Sequence, residues 1–122
     1  MEKLTKAEEP IMHVIWKLKL AFVRDVIEAL PEPKPPYNTV SSVVRILEEK
    51  GMIGHKSYGK THQYFPLIPK VEYRGSLFRN ILSDYFDGSY KSLVSQMMSD
   101  EKISPKEVNE LRQMIDNTLK SK

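Results

Sequence analysis

Three apolar-periodic segments, a basic hairpin centred on a glycine and three further segments of helical texture follow one another along the chain, and that order predicts the fold. The fold class is mainly α with a small β-hairpin wing. A winged helix-turn-helix is expected over residues 1–69, followed by a helical dimerisation region over residues 70–122.

Thr5-x-x-Glu8 has capping-box spacing, and Ile11, Val14, Ile15 and Leu18 follow on one helical face. Pro10 would delete a hydrogen bond in a helix capped at Thr5, so the first helix is expected to kink or to start later, near Glu8. Trp16 belongs in the core or at an interdomain contact, where large aromatics mostly lie. Ala21-Phe22-Val23 reads as a short strand, and Val26, Ile27 and Leu30 mark a second short helix that Pro31 stops. Residues 31–36 hold four of the eight prolines, which makes a stiff, extended connector in preference to a proline-rich peptide ligand.

The third helix is expected from about Asn38 to Lys50, with Asn38 as N-cap and Gly51 as the C-terminal stop. Val40, Val43, Val44 and Leu47 fall on its core side, while Asn38, Ser42, Arg45 and Glu49 fall on the other. A small, polar face with one Arg and an Asn near the N-terminal end suits a helix that reads base edges in a major groove, and an ordinary surface helix has a similar face. Residues 52–57 and 61–65 form two strands joined around Tyr58-Gly59-Lys60, where Gly59 supplies the turn.

After Pro66 and Pro69 the pattern turns helical. Leu77, Phe78, Ile81, Leu82, Tyr85 and Phe86 give a fourth helix a broad apolar face, and Leu93, Val94, Met97 and Met98 continue it in a fifth beyond Gly88. Ser104-Pro105-Lys106-Glu107 combines a capping box with proline at the first helical position, and Val108, Leu111, Ile115 and Leu119 stripe the sixth helix. These helices carry more apolar surface than they bury among themselves. Either the winged helix of the same chain or a second copy must cover it, and the second copy is the expectation, with Leu77, Ile81, Tyr85, Leu111, Ile115 and Leu119 at the homodimer interface.

Composition narrows the function classes. The chain has no cysteine, which removes disulfides, thiolate metal sites and cysteine nucleophiles. No apolar run approaches the roughly 20 residues of a membrane span, and Met1 to Lys6 lack a signal-peptide pattern, so a cytoplasmic protein without membrane insertion is expected. His13, His55 and His62 are not at metal spacing, no cofactor motif is present, and no acid, base and nucleophile converge in sequence, so no enzymatic activity is expected. Residues 1–70 carry 11 Lys and Arg against 8 Asp and Glu, an excess of +3, whereas residues 71–122 carry 8 against 8. Within the first part, residues 50–62 hold Lys50, Lys56, Lys60, His55 and His62 and no acid. Such a stretch at a hairpin points to an anionic partner, either the phosphates of double-stranded DNA or an acidic protein surface.

Leu4-Thr5-x-Ala7-Glu8-x-x-Ile11-Met12-x-x-Ile15-Trp16, the run from Tyr37 to Gly51 and the Gly59-Lys60-Thr61-His62-Gln63-Tyr64-Phe65-Pro66 wing together resemble the BlaI/MecI/CopY family of repressors. The resemblance implies a homodimer on a dyad-symmetric operator, with the third helix in the major groove and the wing near the backbone. It places Thr39, Ser41 and Ser42 at groove-facing and phosphate-facing positions and Lys60 at the wing tip. With Asn38, Arg45, Lys50 and Lys56 from the residue reading, these form the expected DNA-contact set. The resemblance also implies that a membrane metallopeptidase sensor triggers repressor cleavage, directly or indirectly. Ser89 and Tyr90 align with the cleavage region, where many family members carry Asn-Phe. Two positions depart from the family pattern. Many members place Arg at the position of Ile46, one residue after Arg45, and the copper-responsive branch carries paired C-terminal cysteines that this chain lacks.

Overall fold

The computed structural model describes residues 2–100 and 104–120, with side chains described as far as Met114. The element order is α1 (Glu8–Leu18), α2 (Val23–Ala29), α3 (Tyr37–Glu49), β1 (Ile53–Tyr58), β2 (Thr61–Pro66), α4 (Lys70–Phe86), α5 (Tyr90–Ser99) and α6 (Pro105–Lys120). The fold is mainly helical with a two-stranded antiparallel hairpin after the third helix.

α1 starts at Glu8, the later of the two starts that Pro10 allows. Pro10 is then the third helical residue, where a backbone N–H has no intrahelical partner to lose. The capping box is formed: the Thr5 N–H donates to Glu8 Oε1 at 2.9 Å, and the Glu8 N–H donates to Thr5 Oγ1 at 3.2 Å. Three elements depart from expectation. The strand at Ala21-Phe22-Val23 is reduced to one bridge between Ala21 and Tyr64, because the Asp25 carboxylate accepts from the Phe22 N–H at 2.9 Å and starts α2 already at Val23. Asn38 is the second residue of α3 and not its cap. Pro36, held at φ −62° by its ring, occupies that place, and its carbonyl accepts from the Val40 N–H at 3.2 Å. α4 starts at Lys70, well before the apolar run that announced it, with the Pro69 carbonyl accepting from Glu72 and Tyr73 at 3.1 Å each.

The C-terminal end of α3 follows expectation in detail. Gly51 lies at φ +80°, its N–H donates to the Glu48 carbonyl, and the Met52 N–H donates to the Leu47 carbonyl, both at 3.0 Å. This is the Schellman arrangement, closed by the buried pair Leu47 and Met52. The hairpin pairs Ile53 with Pro66 through to Tyr58 with Thr61, leaving Gly59 (φ +62°) and Lys60 as a two-residue turn.

The chain divides into two compact units, Met1–Ser76 and Leu77–Lys122. In the first, Met12, Ile15, Val26, Val40, Val44, Leu47 and Ile53 are fully buried. Trp16 is buried as expected, donating from Nε1 to the Ile68 carbonyl at 2.8 Å and lying 5.7 Å from the Tyr73 ring. The Tyr73 hydroxyl in turn accepts from the Leu4 N–H at 2.8 Å. Those contacts tie the first turn of α4 to this unit, so the division falls inside α4. In the second unit Leu82 is buried, Leu77, Phe86, Leu93, Val94, Val108 and Leu111 are half-buried, and Phe78, Ile81, Tyr85 and Tyr90 are exposed. Among the described residues, no helix is long and apolar enough to cross a membrane.

Candidate nucleic-acid interface

The exposed side of α3 is set by what its other side must bury. Val40, Val44 and Leu47 take the core, so Asn38, Thr39, Ser42, Arg45 and Glu49 face outward and Ser41 is half-buried. Ile46 is 43% exposed, and Arg45 beside it is also exposed.

An open cleft of about 660 Å³ lies between α2, α3 and the wing, and it brings Ser41 and Arg45 to the same surface as Lys60. Arg24 and Tyr37 also line it, as do Thr61 and His62 of β2. Its two acids are engaged locally: Asp25 caps α2, and Glu48 meets His55 Nδ1. Among the described residues, Arg24, Arg45 and Lys60 form no ion pair, so the cleft presents three cations toward solvent. Burial raises the Tyr64 phenol above its ordinary range and the Glu48 carboxylate raises it further, against the opposing pull of Arg45, so the ring stays neutral beside these charges.

The remaining expected residues are placed differently. Lys56 is exposed but lies on the opposite face of the hairpin from His55 and Tyr64, by the alternation of a strand. Lys50 is engaged elsewhere: its ammonium lies 2.9 Å from Glu8 Oε2 and 3.7 Å from Glu2. Burial pushes the Glu8 carboxyl up, but the Thr5 N–H and Lys50 together outweigh it and leave it below the usual carboxylate range. Sequence reasoning missed Arg24, Tyr37 and His62 as cleft residues. Only His62 carried a signal, through the acid-free stretch; Arg24 and Tyr37 reach the cleft because the helices cross there.

Ser89 and Tyr90 start α5. Ser89 is its N-cap, extended at φ −93° and ψ 110°, with Oγ accepting from the Ser92 N–H at 3.1 Å. Tyr90 is 58% exposed, 6.3 Å from the Phe78 ring. Of the expected interface residues, Leu77 and Leu111 are half-buried, Ile81 and Tyr85 are exposed, and the side chains of Ile115 and Leu119 lie outside the described residues. Among the described residues, no cluster of three His, Cys, Asp or Glu is placed to hold a metal ion.

Comparison with known proteins covers nearly the whole chain. The penicillinase repressor family model matches residues 4–117. The methicillin resistance regulatory protein MecI of Staphylococcus aureus strain N315 is 27% identical over 114 residues, covering 93% of each chain. A penicillinase repressor of Bacillus licheniformis is 26% identical over 115 residues, 93% of this chain and 90% of that one. Among solved structures, the DNA-binding domain of the repressor BlaI superposes with a TM-score of 0.50 at 28% identity, over 59% of this chain and 93% of that domain. With a buried winged-helix core, a polar outer face on α3 and a match that runs almost from end to end, this chain belongs to the penicillinase repressor family.

Proposed function

We propose that the chain is a transcriptional repressor that binds double-stranded operator DNA, with α3 in the major groove and the wing against the phosphate backbone. The observation that carries this reading is the outward face of α3, Asn38, Thr39, Ser42 and Arg45, continuous with a cleft whose cations Arg24, Arg45 and Lys60 lack acid partners among the described residues. Short polar side chains and one guanidinium are the groups that hydrogen-bond base edges, while Lys60 at a hairpin turn suits a phosphate. Lys50 is left out of the contact set, because its ammonium already serves Glu8.

The repressor acts as a homodimer on a dyad-symmetric site. Support comes from Phe78, Ile81 and Tyr85, three large apolar side chains exposed along α4 of a single chain. Release follows proteolysis near Ser89-Tyr90, downstream of a membrane metallopeptidase sensor. What supports this reading is the extended backbone of Ser89 at the break before α5 and the exposure of Tyr90 beside it.

The test is titration of the protein onto the fragment upstream of its own gene, with scrambled duplex as competitor. A preference of about a thousandfold or more is expected of a specific operator. Equal competition by scrambled duplex, with tight capture of an acidic protein partner instead, would overturn the reading.

A further inference from the structure

The two wing histidines and Glu48 form a cluster to which the contacts of α3 and Lys60 assign no role. His55 and His62 stack face to face, with ring centroids 4.0 Å apart and planes 5° apart. The register explains the contact: His55 pairs with Tyr64 and Ser57 with His62, so the two imidazoles are diagonal neighbours on one face of the hairpin. The rings differ in their surroundings. His55 meets Glu48 of α3 through Nδ1 and its side chain is 29% exposed, whereas His62 is exposed and lines the cleft.

His62 shares the cleft with charged and phenolic groups from three elements and the hairpin turn. Glu48 and Arg45 come from α3, Lys60 from the turn, Arg24 and Asp25 from α2, while Tyr37 of α3 and Tyr64 of β2 contribute phenols. His62 stacks on His55 and shares the cleft with Arg45 and Lys60, which have no acid partner among the described residues. Duplex phosphates arriving at the cleft supply the missing counter-charge.

We propose that DNA binding draws a proton onto His62, making the wing a phosphate contact whose strength rises with acidity. The inference rests on the reading of α3 and the wing as the DNA-binding face. His55 and Glu48 are positioning residues in this scheme, and His62 is the contact. Because the bound state holds the extra proton, affinity rises as pH falls through about pH 8 to 5, the range in which histidine ordinarily titrates.

Calorimetric titration of the full chain with a random-sequence duplex at low salt, in two buffers of different ionisation enthalpy, counts the protons directly, since phosphate contacts alone sustain such binding. The native protein should take up as much as about one proton per protomer, with affinity gaining up to about tenfold per pH unit of acidification for each proton linked. His62→Gln should abolish uptake and pH dependence, while His13→Gln, on the exposed side of α1, keeps both. As a readout without mutation, the ring-proton resonances of His62 in the native protein should move to their protonated position when duplex is added. Uptake that persists in His62→Gln, or no uptake and no resonance shift in the native protein, would overturn the proton link and leave the DNA-binding reading standing. Failure to bind any duplex at any pH would overturn both.

Discussion

The two halves of the chain solve the problem of burying apolar surface differently. In Met1–Ser76 the apolar side chains of three helices and a hairpin converge, and Met12, Ile15, Val26, Val40, Val44, Leu47 and Ile53 are fully buried. Leu77–Lys122 has helices of comparable length, yet among its described side chains only Leu82 is buried, while Phe78, Ile81 and Tyr85 are 40%, 40% and 79% exposed. Connectivity explains the contrast. In the first unit a hairpin folds back against three helices and closes the core, whereas a segment of about fifty residues buries a smaller fraction of its surface. The first unit buries its largest aliphatic side chains within itself, whereas the second leaves Phe78, Ile81 and Tyr85 exposed, the face that the proposed dimer would cover.

The largest test of that contrast separates the units. A fragment ending at Ser76 keeps Tyr73 and the hydrogen bond from Leu4, so it should stay folded and be monomeric by light scattering. Two tethered reading heads gain roughly 100 to 10,000 fold in avidity over one, and the fragment should lose most of that gain in operator titrations at fixed salt. A fragment that stayed dimeric, or bound like the parent, would remove the second unit from its proposed task. Cutting at Lys70 instead also removes Tyr73, so that fragment should melt lower than the one ending at Ser76.

Within each unit, single substitutions should report different quantities. Leu47→Ala empties a fully buried site and should cost about 2–5 kcal/mol in urea unfolding. Tyr85→Ser, at an exposed site, should leave the unfolding of the first unit unchanged and weaken the dimer by about 2 kcal/mol, roughly thirtyfold in sedimentation equilibrium. A Tyr85→Ser protein as tightly dimeric as the parent would move the interface off this face of α4.

The smallest expected effect concerns Glu8, which ties the start of α1 to Lys50 at the end of α3. Its folded-state carboxyl lies below the ordinary 4.5, so its contribution is fully present above that value and is lost as pH falls through the lowered one. Glu8→Gln keeps the hydrogen-bond acceptor but not the charge. The stability gap between parent and variant should therefore be constant near neutral pH and close in acid, as followed by urea unfolding at stepped pH. A gap independent of pH would assign the role of Glu8 to shape and hydrogen bonding alone.

Much of this protein was settled by local chemistry that a linear reading detects. Thr5 and Glu8 cap each other wherever the chain goes next, Gly51 and Gly59 take positive φ at a helix end and a hairpin turn because other residues there would be strained, and Ser104 and Pro105 start α6. The alternation of Val40, Val44 and Leu47 with Asn38, Ser42 and Arg45 depends only on 3.6 residues per turn, so the outward polar face of α3 followed as well. Tertiary structure decided what depends on distance across the fold. It took Lys50 out of the basic stretch by pairing it with Glu8, 42 residues away in sequence, and it brought Arg24 and Tyr37 to the cleft. It also stacked two histidines whose spacing of seven has no meaning until a turn at Gly59 folds one strand onto the other. Periodicity and capping act within one or two turns of chain, whereas the partner of a charge or a ring is whichever group the folded core delivers to it.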